Sequence, residues 1–203
     1  MSFLNESLAE KVISYIFEPI KLSWIQSFVN YCIDSQFRTL KRLDYFLSDQ
    51  LENPSKELKK VADNLYHKDS DICILNILTW VMMNKGYKSD SLNFKKDEYW
   101  ATAEEMIKNK YGDCDDMNGM VYILARLCNI PSEFIWCATG DTFSGGHFWC
   151  FYYSSRYDKL VSVDSTFYPN TNLIKNRAGF KLDGKYKKIW YIFSDNWIYR
   201  PKT

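Results

Sequence analysis

The chain lacks the features that mark several common classes of protein. No apolar run within its 203 residues approaches the roughly 18 that a transmembrane helix needs. The N-terminal segment has no basic region followed by an apolar block and a small-residue cleavage site, so we expect a cytoplasmic or virion-associated protein without a signal peptide. The 26 basic and 25 acidic side chains leave a net charge of +1 and no long run of one sign, which predicts binding to neither nucleic acid nor a membrane.

Histidine is scarce, and the cysteines are not spaced as metal ligands. Only His67 and His147 are available as a histidine base. No C-x-x-C pair occurs among the six cysteines, and without an export signal we expect reduced thiols. Cys137, His147 and Cys150 lack the short paired spacings of structural zinc, so we expect no metal and no cofactor. The cysteines stand at positions 32, 73, 114, 128, 137 and 150.

The spacing of apolar residues changes from helical to strand-like along the chain. Helices are predicted over 6–17, about 21–50, from Ser55 onward and over 71–84, with loop or extended structure at 87–100. Runs rich in aromatic and β-branched residues predict antiparallel strands at 133–138, 147–153, 159–164 and 188–193. Helices followed by strands indicate an α+β fold. We expect a helical N-terminal extension, residues 1–70, whose apolar stripes pack on the core or dock a protein partner, and a second domain, residues 71–203.

One cysteine stands at a predicted helix start. Asp113 occupies the N-cap position and Asp116 the third helical position, as in a capping box, which places Cys114 in the first turn. A helix N-terminus favours thiolate, and beside an imidazolium the pKa of a cysteine falls from about 8.5 to roughly 3.5–7.5. The backbone N–H of Cys114 is also available to an oxyanion. The alternative is a small buried cysteine, and the acids at 113, 115 and 116 oppose thiolate formation unless a cation lies close.

A histidine opens one predicted strand, and an aspartate closes the next. If these strands pair as a hairpin through residues 155–158, His147 and Asp164 lie side by side at one end of the sheet. Asp164 would then accept from one imidazole nitrogen and leave the other for Cys114. Taken singly, each residue is a weak signal: His147 alone is better explained as a strand-end histidine bonded to solvent or backbone, and Asp164 alone as a turn residue. Their order after Cys114 matches a thiol nucleophile, its base and a group that orients the base.

The segments around these residues resemble the transglutaminase-like superfamily of papain-related thiol enzymes, in particular bacterial and phage members. The resemblance rests on Tyr111-Gly-Asp-Cys114-Asp-Asp, Gly145-Gly-His147-Phe-Trp149 and Val163-Asp164-Ser-Thr166, and it covers roughly residues 71–169. It implies a catalytic domain over 71–203 with a nucleophile helix packed on an antiparallel sheet. It also implies Cys114 as nucleophile, His147 as base and Asp164 as orienting partner.

The resemblance also implies an oxyanion hole and a reaction. The family completes its oxyanion hole with a side chain upstream of the nucleophile, for which Trp100 is the candidate, although a core aromatic is an equal interpretation of Trp100. Acyl transfer would pass through a thioester at Cys114, on amides of peptides or glutamine side chains. Because no insertion near Cys114 or His147 is long enough for an amine-binding lid, hydrolysis by a peptidase or amidase is favoured over a cross-linking transglutaminase. A non-catalytic binding or virion-structural module is the remaining alternative.

Overall fold

The structure, a computed structural model, describes residues 17–19, 43–166, 173–179 and 184–201. The helices in these ranges are α1 (Leu43–Glu52), α2 (Lys56–Leu65), α3 (Ser70–Asn84), α4 (Asp90–Asn93), α5 (Ala103–Lys108) and α6 (Cys114–Leu127), with a 3₁₀ turn at Ile174–Asn176. The strands are β1 (Phe17–Pro19), β2 (Gly86–Tyr87), β3 (Tyr111–Gly112), β4 (Ile135–Thr142), β5 (Gly145–Ser154), β6 (Lys159–Val163), β7 (Tyr186–Phe193) and β8 (Ile198–Pro201). Within the described part of the chain, no helix combines the length and apolar character needed to cross a membrane.

Short polar side chains start the helices where the sequence predicts them. The hydroxyl of Ser55 accepts from the N–H of Leu58 at 3.1 Å, and α2 begins at the next residue. At α6 the predicted capping box is present, with the N–H of Asp113 donating to Asp116 Oδ2 at 3.2 Å. These bonds satisfy amide groups that the helix ladder leaves without partners, so Cys114 is fixed as the first residue of α6.

Six of the strands form one antiparallel sheet in the order β1-β8-β7-β4-β5-β6, and β2 pairs with β3 in a short parallel pair. Strands β4, β5, β6 and β7 confirm the four strands predicted from the sequence. Strand β1 corrects one prediction, because Phe17 closes the predicted helix 6–17 but pairs with Pro201 in this sheet. A strand needs only three extended residues and a neighbour to pair with, which periodicity cannot reveal. Helix α1 coincides with the end of the helix predicted over about 21–50. The earlier residues of that helix, and residues 6–16, lie outside the described part of the chain.

Side-chain alternation along β5 buries both faces of the sheet. Phe148, Cys150 and Tyr152 belong to the larger core, which the helices share, while Trp149, Phe151 and Tyr153 belong to a second cluster on the opposite face. Helix α6 runs through the larger core with every residue from 115 to 125 buried. It contacts α1, α2, α3 and α5 as well as β5, so it is held rigidly at the centre of the fold.

The described part of the predicted N-terminal extension packs into this same core. Phe46 and Leu47 of α1 and Leu58 of α2 are buried against the cluster that contains α6. Packing of the extension on the core was one of the two outcomes expected. The division of the chain at residue 70 stays a prediction.

Candidate active site

The N-terminus of α6 meets β5 at a point that β6 does not reach. Strand β6 ends with Val163 opposite Cys150, so it stops before Phe148. The carbonyl of Phe148 instead accepts from the side-chain amide of Asn118 at 2.9 Å, and its backbone N–H is near enough to the Cys114 sulfur to act on the pKa of that thiol. The early end of β6 thus allows β5 to contact α6 directly, and Cys114 lies against the residue that follows His147.

The predicted hairpin of β5 and β6 is confirmed, and it brings His147 to Asp164. The ring Nε2 lies 2.7 Å from Asp164 Oδ2, and the two side chains are 8% and 1% exposed. In this arrangement Nε2 is the nitrogen that carries the proton toward the carboxylate, and Nδ1 is the nitrogen with which the ring can serve a thiol or a substrate.

The carboxylate of Asp164 is held on both of its oxygens. Oδ1 accepts from the backbone N–H and the hydroxyl of Thr166, each at 2.9 Å, and from Asn118 Nδ2 at 3.2 Å. Oδ2 accepts from His147 and from the hydroxyl of Tyr186, the latter at 2.9 Å. Donors on both sides fix the plane of the carboxylate, and with it the orientation of the imidazole.

Asn118 is a site residue that sequence reasoning missed. It is fully buried on α6, one turn after Cys114, and its amide donates to both Phe148 and Asp164. Its carbonyl oxygen accepts from the N–H and the hydroxyl of Ser165 at 2.8 and 2.9 Å. The signal available in the sequence was an asparagine within an otherwise apolar helical stripe, where a buried amide requires partners.

Trp100 lies in the core beside the site. Its ring packs edge-on against Phe148 and Phe46 with centroids 5.5 and 5.7 Å apart. Its indole N–H donates to Glu98 Oε1 at 2.7 Å. The core interpretation of Trp100 therefore accounts for the ring. Its role in an oxyanion hole stays a prediction, which requires the N–H to leave Glu98.

The carboxylates around Cys114 oppose thiolate formation. Burial, followed by the charge of Asp113, raises the pKa of the Cys114 thiol to about 12, and Asp164 and Glu98 add to the rise. The N–H of Phe148 acts in the opposite direction but does not compensate. The direction is opposite to the one expected from a helix N-terminus alone, and a positive charge close to the thiol would act against it.

Asp113 also belongs to a group of three converging carboxylates, which we call the acidic cluster: Asp90, Asp113 and Asp116. One oxygen of each lies within 4.8 Å of the others. Burial, then repulsion by Asp113, raises the pKa of Asp90 to about 7, and burial raises that of Asp116 to about 8. Asp90 Oδ1 and Asp113 Oδ1 are buried and accept no hydrogen bond. Mutually repelling carboxylates with unused oxygens fit the donor set of a hard divalent cation such as Ca²⁺.

The loop between α4 and α5 ties this cluster to the rest of the site. The N–H of Tyr99 donates to Asp90 Oδ2 and the N–H of Ala101 donates to Asp116 Oδ1, each at 2.5 Å. The cysteine and histidine spacings considered in the sequence could not reveal this donor set, which contains neither residue type. Asp90 gave no signal because it lies far upstream of Cys114, and only the fold brings it close.

A helix that begins with a cysteine thus packs on an antiparallel sheet that carries a histidine–aspartate contact. Residues 59–165 match the sequence profile of the Transglutaminase-like superfamily. This match spans more than half of the chain, and the chain belongs to that superfamily. A comparison with curated proteins found no significant match.

Solved structures of LapG from Legionella pneumophila share the fold. One is 17% identical in sequence with a TM-score of 0.56, and the alignment covers 90% of each chain. The calcium-bound form of the same protein is 17% identical with a TM-score of 0.57, covering 91% of this chain and 90% of LapG. An EGTA-treated form is 16% identical with a TM-score of 0.56, covering 90% and 87% respectively. Identities this low show the shared fold alone.

Proposed function

We propose that the protein is a cysteine hydrolase that cleaves peptide or side-chain amide bonds with Cys114, His147 and Asp164. The observation that carries the proposal is the 2.7 Å contact between His147 Nε2 and Asp164 Oδ2, beside Phe148, whose backbone N–H is near the sulfur of Cys114. Membership of the transglutaminase-like superfamily supports it.

In the proposed reaction, His147 Nδ1 takes the thiol proton of Cys114, and the sulfur attacks the carbonyl carbon of the amide. The backbone N–H of Cys114, which the helix ladder does not use, donates to the oxyanion. The imidazolium then protonates the leaving amine, and a thioester remains. His147 next removes a proton from water, which attacks the thioester and releases the acid and the thiol. Asp164 holds the ring in the tautomer that leaves Nδ1 unprotonated.

Water is the proposed acceptor of the acyl group, because the aromatic residues near the site are packed into the core. An amine acceptor requires a site that excludes water and binds the amine. Phe148 and Trp149 are buried in the two core clusters, so neither ring is available to line a tunnel. The connection from β4 to β5 beside His147 consists of residues 143 and 144 alone, and the ring of Phe143 is exposed. So short a turn supplies no lid.

A divalent cation is part of this proposal. LapG has a calcium-bound form, and the acidic cluster in this chain offers converging carboxylates with unused oxygens. We propose that Asp90, Asp113 and Asp116 hold Ca²⁺. When bound, the ion would supply the positive charge that offsets the carboxylates raising the pKa of the Cys114 thiol.

The experiment is cleavage of a quenched-fluorescence peptide library in calcium and in EGTA, with products identified by mass spectrometry. Cys114→Ala should show no turnover, and His147→Gln should lower kcat/KM at least about 1,000-fold. His67→Gln, which changes the other histidine, should stay within about twofold. Adding a labelled primary amine tests the acceptor. Turnover by Cys114→Ala, or amine incorporation with little free acid, would contradict the proposal.

A further inference from the structure

Tyr186, the first residue of β7, reaches the same carboxylate oxygen as His147. Its hydroxyl donates to Asp164 Oδ2 at 2.9 Å, and His147 Nε2 lies 2.7 Å from that oxygen. Tyr186 lies beyond the segment 59–165 that matches the superfamily. It also comes from a strand that β4 separates from β5 in the sheet. We propose that Tyr186 is a positioning residue, which orients Asp164 and moderates its pull on the proton of His147.

Aromatic stacking sets the direction of the Tyr186 hydroxyl. Its ring is stacked on Trp149 with centroids 4.5 Å apart and 23° between the planes, and it lies 6.4 Å and 19° from the ring of His147. His147 and Trp149 are themselves stacked at 5.9 Å and 11°. Three nearly parallel rings therefore restrict both the imidazole and the phenol, and their polar atoms meet at one oxygen of Asp164.

Sharing one acceptor has a predictable effect on the imidazole. Two donors on Oδ2 disperse its negative charge more than one donor does, so the carboxylate stabilises the imidazolium less. Removing the Tyr186 hydroxyl should therefore strengthen the hydrogen bond between His147 Nε2 and Asp164 Oδ2 and move the Nε2 resonance of the ring. Asn118 and Thr166 still hold Oδ1, so the carboxylate stays in place for the comparison.

A merely structural role for Tyr186 predicts a different result. Tyr186→Phe keeps the ring and its stacking and removes only the hydroxyl. The matched control is Tyr153→Phe, because Tyr153 also donates to an aspartate, Asp158, at 2.5 Å, in the part of the β5–β6 hairpin away from His147. If tyrosine–aspartate bonds serve only the fold, the two variants should affect stability alone and leave the imidazole of His147 unchanged.

The test is the ¹H–¹⁵N NMR spectrum of the full chain labelled with ¹⁵N-histidine, in which His67→Gln assigns the two imidazoles. We expect Tyr186→Phe to shift the Nε2 resonance of His147, while Tyr153→Phe leaves it unchanged. For cleavage, which rests on the proposed function, Tyr186→Phe should lower kcat about tenfold with KM within about twofold. A His147 Nε2 resonance identical to wild type in Tyr186→Phe overturns the inference, whatever the activity. A shifted His147 in a chain that cleaves nothing supports the contact and counts against the proposed hydrolase.

Discussion

Replacing Asp90 by Asn tests the acidic cluster without touching the proposed nucleophile. The Asp90 carboxyl is 2% exposed, and burial followed by Asp113 raises its pKa from 3.8 to about 7. At about 1.4 kcal/mol per unit, keeping this carboxylate ionised costs the fold on the order of 4 kcal/mol. An asparagine oxygen can still accept from Tyr99, and its amide can donate to the unused oxygen of Asp113. The variant thus removes the repulsion and keeps the packing.

The sign of the pH dependence follows from the raised pKa. A carboxyl whose pKa is raised in the folded state does not lower the free energy of unfolding below about pH 4, where it is protonated in both the folded and the unfolded chain. The cost grows as pH rises through about 7, because the unfolded chain ionises freely while the folded chain resists. In EGTA, the free energy of unfolding of wild type should therefore fall between pH 5 and pH 8. The free energy of unfolding of Asp90→Asn should fall less over this range, and at pH 8 the variant should be more stable than wild type.

Calcium should reverse this order. A ligand at one hundred times its Kd stabilises the folded state by about 2.7 kcal/mol, and wild type should show such a gain at pH 8. Asp90→Asn, with one of three charges removed, should gain much less. Urea unfolding followed by the fluorescence of the seven tryptophans gives these free energies. Asp97→Asn, which changes an exposed acid in the loop after α4, is the matched control. The reasoning fails if Asp90→Asn is as destabilising in EGTA at pH 8 as at pH 5, or if both proteins respond equally to calcium.

Three further predictions concern the thiol, the imidazole pair and the N-terminal helices. Iodoacetamide should modify Cys114 before the other described cysteines, all of which are buried, and EGTA should slow this reaction about tenfold. Peptide mass spectrometry measures the order of labelling. Modification of Cys137 first would contradict the prediction. His147→Ala should abolish detectable cleavage, whereas Asp164→Asn should leave measurable kcat, because it disturbs orientation and tautomer without removing the base; equal losses would argue against these separate roles. Leu47→Ala should lower the free energy of unfolding by about 2–5 kcal/mol, because Leu47 is fully buried. Urea unfolding measures the change. A loss below about 1 kcal/mol would show that α1 contributes little to the stability of the fold.

Much of the fold was readable from local patterns. The start of α6 was predictable because Asp113 and Asp116 form a capping box within four consecutive residues, and such chemistry depends on nothing distant. The contact between His147 and Asp164 was also accessible, because a short hairpin with period-two alternation fixes which residues meet at its end. The catalytic roles of both residues stay predictions.

The remainder of the site depends on contacts between residues far apart in sequence. Asp90 and Tyr186 come from segments on either side of the hairpin, and neither carries a local motif, so only the packed chain places them at Asp113 and Asp164. The pKa of Cys114 is raised, although the sequence predicted that it is lowered, for the same reason. A helix terminus is a local property that the sequence displays, whereas burial and the summed field of several carboxylates exist only after the chain has folded around them.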